Sequence, residues 1–258
     1  MRRAAWIVCL GCTCLPGFAQ STTDGVIEQV RENSLNFDKH LPNFLCQEVV
    51  KRFVKPHESA EWQFLDVITA QLTYFESHEE YRQIRINDKP MADGSLGGIK
   101  GAMAQGEFGT LVKDLFLPSS QAKFDPDGRA KIHGRPMSKF RFDVLREHSH
   151  YRLLANGNVE YVAAYRGQIW VDDETKMVMR LEMSAYGIPF GFPVRSVSTT
   201  LDYEFTKVGA NKYLLPAKAE IVSAHHSQTT KNLEEFRQYR KFGVETNLSF
   251  DVGDVKAN

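Results

Sequence analysis

The run Gly167-Gln168-Ile169-Trp170-Val171-Asp172-Asp173-Glu174-Thr175-Lys176-Met177-Val178-Met179-Arg180-Leu181-Glu182-Met183 decides the fold class. On either side of its polar middle, apolar residues fall at alternate positions, the period of a half-buried strand. Over 161–171 and 177–185 the odd positions are largely apolar, and the segment 172–176 between them reads as a hairpin loop. A register that sets Val171 against Met177 also sets Ile169 against Met179 and Tyr165 against Met183. Its other face pairs Trp170 with Val178, Gln168 with Arg180 and Arg166 with Glu182, and the last pair joins opposite charges, which favours this register.

The same logic gives a second hairpin downstream. Val197, Thr199, Leu201, Tyr203 and Phe205 share a face, Gly209-Ala210-Asn211 turns the chain, and Tyr213, Leu215, Ala217, Ala219 and Ile221 return. Further strands are expected over 48–54, 62–75, 81–86 and 138–145, with a final pair within 233–251. Only two stretches have helical spacing. Val26, Val30, Phe37 and Leu41 form one stripe with Ile27 beside it, after the capping candidates Thr22, Thr23 and Asp24, and Pro42 ends it. Phe108, Leu111, Val112, Leu115 and Phe116 form the other, stopped by Pro118. The fold class is therefore α+β: a large curved antiparallel sheet, an incomplete β-barrel, partly covered by one or two α-helices. So few helices cannot cover such a sheet if it stays flat, so it must curl, and curled sheets of this kind often enclose an apolar cavity.

Residues 1–19 read as a secretory signal peptide. Arg2 and Arg3 are the positive start, residues 4–15 the apolar run, and Gly17-Phe18-Ala19 the small-residue cleavage site before Gln20. The apolar run is shorter than the roughly 20 residues of a spanning helix, and Gly11-Cys12 is only a poor match to a lipidation site. The expected address is outside the cytoplasm, with residues 20–258 as a single domain. Cys9, Cys12 and Cys14 would leave with the signal, so Cys46 stands alone and no internal disulfide is expected. Leu45 before it and Val49-Val50 after it suggest a small apolar residue packed at the end of the first helix.

Composition excludes several classes. Of 258 residues 42% are apolar and 25% charged, enough for a substantial core and too much for a disordered chain. Thirty-two basic residues balance thirty-two acidic ones, which argues against a nucleic-acid partner. There is no GxSxG elbow, no HExxH and no cysteine cluster. The pairs His148/His150 and His225/His226 lack the further ligands that zinc needs, so no metal and no cofactor is expected. Gly94, Gly97, Gly98, Gly101, Gly106 and Gly109 lead into a helix but lack the Gly-Lys-Ser/Thr ending of a phosphate loop, and read as a surface loop or flap.

In the order of its parts the chain resembles the LolA/LolB-like lipoprotein-sorting family: a signal peptide, an amphipathic helix, then strands through Gly167–Asp172 and Met179–Glu182. Tyr213-Leu214-Leu215-Pro216 and Phe236–Phe242 are similar to segments of related secreted bacterial proteins. The resemblance implies a periplasmic open barrel closed by helices around a cavity for acyl chains, without transferring any binding residue by position. The candidate ligand-binding residues come instead from the chain's own pattern: Tyr165, Ile169, Met177, Met179 and Met183 on the first hairpin, and Phe190 and Phe192 on the Pro- and Gly-punctuated loop after it. The expected role is a non-enzymatic carrier or receptor for an acyl chain, lipid or lipoprotein. A structural or sensory envelope domain with a filled core, working through a protein partner, and, more weakly, an unrecognised hydrolase are the alternatives. No membrane span is expected after cleavage.

Overall fold

The computed structural model describes residues 17–58, 60–76, 78–91, 110–155 and 159–242. The helices are α1 (Gly17–Leu35) and α2 (Thr110–Phe116). The strands are β1 (Phe44–Lys55), β2 (Gln63–Phe75), β3 (His78–Ile86), β4 (Lys89–Pro90), β5 (Lys123–Ile132), β6 (Arg135–Val144), β7 (Arg152–Ala155), β8 (Val159–Val162), β9 (Ala164–Asp172), β10 (Val178–Tyr186), β11 (Val194–Val208), β12 (Asn211–His225) and β13 (Thr229–Lys241). Eleven of them form one antiparallel sheet in the order β4-β3-β2-β1-β13-β12-β11-β10-β9-β6-β5, and β7 pairs with β8 apart from it. Its two edges, β4 and β5, are not paired with each other, so the barrel is incomplete, as the alternation implied.

Register shows why this sequence makes a two-faced sheet. One row across ten strands reads Ile86, Ile68, Val50, Glu234, Ala219, Leu201, Leu181, Ile169, Phe140, Pro126. It is apolar but for Glu234. The next row, on the opposite face, runs Val67, Lys51, Leu233, Glu220, Thr200, Glu182, Gln168, Arg141, Asp125 and is mostly polar. The apolar row is where the helices dock: Ile27 and Val30 of α1 and Val112, Leu115 and Phe116 of α2 join one core with Phe140, Ile169, Leu181, Leu201 and Ala219. Phe116 stacks on Phe124 at 4.9 Å between ring centroids. A smaller core of Phe44, Cys46, Leu72, Tyr74, Leu215 and Phe236 closes the β1–β2 end.

Four readings of local sequence need correction. The first helix stops at Leu35, followed by a 3-10 turn at Asp38–His40, so Phe37 and Leu41 lie beyond it. Cys46 is fully buried as anticipated, but on β1, because Phe44-Leu45-Cys46 begins a strand buried on both faces rather than ending a helix. In the first hairpin Val171 faces Val178, and past an irregularity at Met179 the register moves by two: Ile169 faces Leu181 and Tyr165 faces Ala185. The cause is the loop, where Asp172 accepts hydrogen bonds from Thr175 N at 2.8 Å and Thr175 Oγ1 at 2.9 Å, and Lys176 takes a left-handed φ of 57°. Arg166 therefore lies over the Tyr186 ring instead of pairing with Glu182, while Arg180 pairs with Asp202. In the second hairpin a bulge near Ala217 sets Pro216 and Leu214, not Leu215 and Tyr213, opposite Tyr203 and Phe205.

The second helix ends at Phe116 as the spacing suggested, and Phe108 together with the glycine-rich stretch up to Gly109 lies outside the described residues. Strand β5 and the β7–β8 hairpin were not foreseen. No described helix is long and apolar enough to cross a membrane.

Candidate functional site

The helix-covered face of β9–β12 gathers most of the sequence-selected residues. Tyr165, Ile169, Met179, Met183 and Phe192 are buried in the main core, and Met177 packs against it. Phe190 goes elsewhere: it is 91% exposed, its ring 5.7 Å from His226. The Gly- and Pro-punctuated loop divides the two, since Phe192 turns inward onto Tyr161, at 5.6 Å between centroids, and leaves Phe190 at the tip. The histidines are held in local contacts: His226 Nε2 lies 3.1 Å from the Phe192 carbonyl, His225 Nε2 3.2 Å from Ser223 Oγ, and His150 Nε2 3.1 Å from Ser119 Oγ. Among the described residues no three His, Cys, Asp or Glu side chains converge as metal ligands would.

Beneath the C-terminal end of α1 is a cleft lined by Asn33, Ser34, Phe37, Val112, Met177, Val178, Tyr203 and Leu214. It encloses only about 20 Å³, room for about one water and far short of the roughly 300–1,000 Å³ of small-molecule sites. The face behind it is filled by the helices, by the β7–β8 hairpin and by its own side chains.

Among the described side chains of α1, Ile27 and Val30 are the buried apolar residues, with Val26, Leu35 and, just beyond the helix, Phe37 partly buried beside them. Arg31 Nη1 donates to the Phe116 carbonyl at 2.8 Å, and Asn33 Nδ2 donates to the carbonyls of Thr175 at 3.0 Å and Lys176 at 3.2 Å. These last bonds tie the helix to the β9–β10 loop, which Asp172 organises. Hydrogen bonds from Arg135 hold the Asp172 carboxyl down at about 2, well below its ordinary value.

The same face is different on β1–β3. There Glu48 lies opposite Ala70 and Phe236, 5% exposed, without a hydrogen bond or ion pair among the described residues. Burial, with Glu79 adding, pushes its carboxyl up to about 7. Burial first, then Glu48 and Glu79, also pushes the Cys46 thiol up, which keeps it a neutral, unreactive packing group. Alternation marked β1 as a strand, but nothing in its sequence signals that Glu48 faces inward. Likewise Asn33, Ser34, Tyr203 and Leu214 were missed as cleft residues, because only the docking of α1 brings them together.

No family model matches the chain, and no curated protein matches it. Among solved structures it is similar to a DUF1329 family protein from Desulfovibrio piger, at 9% identity over 87% of this chain and 95% of that one, with a TM-score of 0.41. It is also similar to an outer membrane lipoprotein-sorting protein domain from Vibrio parahaemolyticus, at 9% identity over 87% and 93%, TM-score 0.37. A LolA superfamily protein from Nitrosomonas europaea is similar at 10% identity over 86% and 94%, TM-score 0.34.

Proposed function

We propose that this protein is a non-enzymatic carrier or receptor of the bacterial cell envelope, exported by a signal peptide at residues 1–19, that takes an acyl chain, lipid or lipoprotein between α1 and the apolar face of its open sheet. The observation that carries the reading is that, among the described residues, this face is covered by α1, α2 and the small β7–β8 hairpin rather than by a second sheet of its own size. Burying Ile27 and Val30 contributes about 1.5–3 kcal/mol each, and a bound chain that covers the same sheet residues replaces that contribution when α1 lifts. Tyr165, Ile169, Met177, Met179 and Met183 would then form the floor of the site, with Phe192 at its rim and Phe190 outside. Thioethers adapt to an irregular chain better than branched side chains do.

Titration with a fluorescent fatty acid, combined with limited trypsin digestion, tests this. The reading requires saturable one-to-one binding and faster cleavage after Arg31 when the ligand is present, because lifting α1 releases Arg31 from the Phe116 carbonyl. Absence of saturable binding refutes it. A second reading, an interaction domain with a permanently filled core, is favoured by the small volume of the cleft, and it requires a digestion pattern that fatty acid leaves unchanged.

A further inference from the structure

The outward face of β3, β2, β1 and β13 concentrates cations around aromatic rings. Phe53 of β1 lies opposite Phe64 of β2 and Lys231 of β13, and Lys51 lies two residues along on the same face. The Phe53 and Phe64 rings meet edge to face at 5.8 Å. Lys231 Nζ sits 4.5 Å from the Trp62 ring centroid and 5.2 Å from that of Phe53, with Lys55 Nζ 5.9 Å from Trp62. Arg85, opposite Thr69, extends the positive strip onto β3. Phe64 is 46% exposed and Leu65 50%, at the edge of this strip.

Charge on the patch is not cancelled locally. Among the described residues Lys51, Lys55, Arg85 and Lys231 make no ion pair, while Glu80 and Glu235 on the same face are taken by Arg82 and Arg237. The exposed Glu61 beside Trp62 and Glu220 on β12 are the acids left nearby.

We propose that this patch docks the protein onto an anionic phospholipid surface. Phe64, Leu65 and Trp62 match the boundary between headgroups and acyl chains, where amphipathic rings and apolar tips sit, while Lys51, Lys55, Arg85 and Lys231 meet phosphate. A single-stranded nucleic acid fits less well: it needs open ring faces for stacking, and Lys231 lies over the faces of both Trp62 and Phe53. Docking at this patch is independent of what lies beneath α1.

The test is co-sedimentation of the exported form, residues 20–258, with vesicles of phosphatidylcholine alone and of phosphatidylcholine with phosphatidylglycerol. Binding is expected to the anionic vesicles only and to weaken with added salt. Lys51→Gln and Lys231→Gln should each weaken it about fivefold, and the pair about 25-fold. Trp62→Ala should weaken it further, whereas Arg141→Gln, on the outward face of β6, should leave it unchanged. Unaltered melting temperatures show that the variants fold. No sedimentation with anionic vesicles, equal binding to both vesicle types, binding that the lysine variants do not weaken, or retention on heparin or single-stranded DNA without vesicle binding would each overturn the proposal.

Discussion

Replacing Glu48 by Gln should make the protein more stable above neutral pH and flatten its stability curve. The Glu48 carboxyl is raised from 4.5 to about 7 by burial and by Glu79. An acid raised in the folded state keeps its proton there after the unfolded chain has released it. Its contribution is therefore fully present below pH 4.5, falls by about 1.4 kcal/mol per pH unit through the window, and is lost once pH passes 7. Over that window the loss amounts to about 3 kcal/mol, a large fraction of the 5–15 kcal/mol typical of a domain. Glu48→Gln removes a titrating group while keeping shape and polarity, so its urea midpoint should change much less between pH 5 and pH 8 than that of the wild type. At pH 8 the variant should be the more stable of the two. Parallel pH profiles for the two proteins, or a variant less stable at pH 8, would refute the claim that an uncompensated carboxyl sits on the inner face of β1.

Other substitutions probe separate parts of the account. Asp172→Ala removes the acceptor of the Arg135 pair and of the loop bonds from Thr175, and should cost about 2–4 kcal/mol in urea unfolding; a loss under 1 kcal/mol would contradict its role in the β9–β10 loop. Gly167→Ala would bring a Cβ 1.8 Å from the Glu182 carbonyl oxygen, so β9 and β10 must part, and a loss of at least about 3 kcal/mol is expected by calorimetry. Phe192→Ala should destabilise by about 3 kcal/mol or more, and Phe190→Ser should stay within about 0.5 kcal/mol of the wild type. Similar losses for the two would show that the loop packs differently.

Much of this architecture follows from period alone. Strands β9 to β12 alternate so regularly that their faces could be assigned, and the two-residue slip in the first hairpin preserved those faces because a shift of two does not invert a strand. The bulge near Ala217 did invert Leu215 and Tyr213, and nothing in Leu214-Leu215-Pro216-Ala217 announces it. Strand β5 escaped notice because Asp125-Pro126-Asp127-Gly128 breaks alternation with an irregularity in which Gly128 takes φ 85°. Pairing of β1 with β13 joins opposite ends of the chain and leaves no local signature. The site was legible in part: Met179 and Met183 declared a buried face, whereas the cleft depends on where α1 rests, and the split of Phe190 from Phe192 depends on one turn.

The most direct measurement is native mass spectrometry of the protein purified from its own host, followed by extraction and analysis of bound lipid. The account predicts a stoichiometric lipid or acylated peptide that remains with the folded protein and is released on unfolding. A bare polypeptide mass, with no thermal shift on adding fatty acid or phospholipid, would contradict it and leave the filled-core interaction domain as the reading that stands.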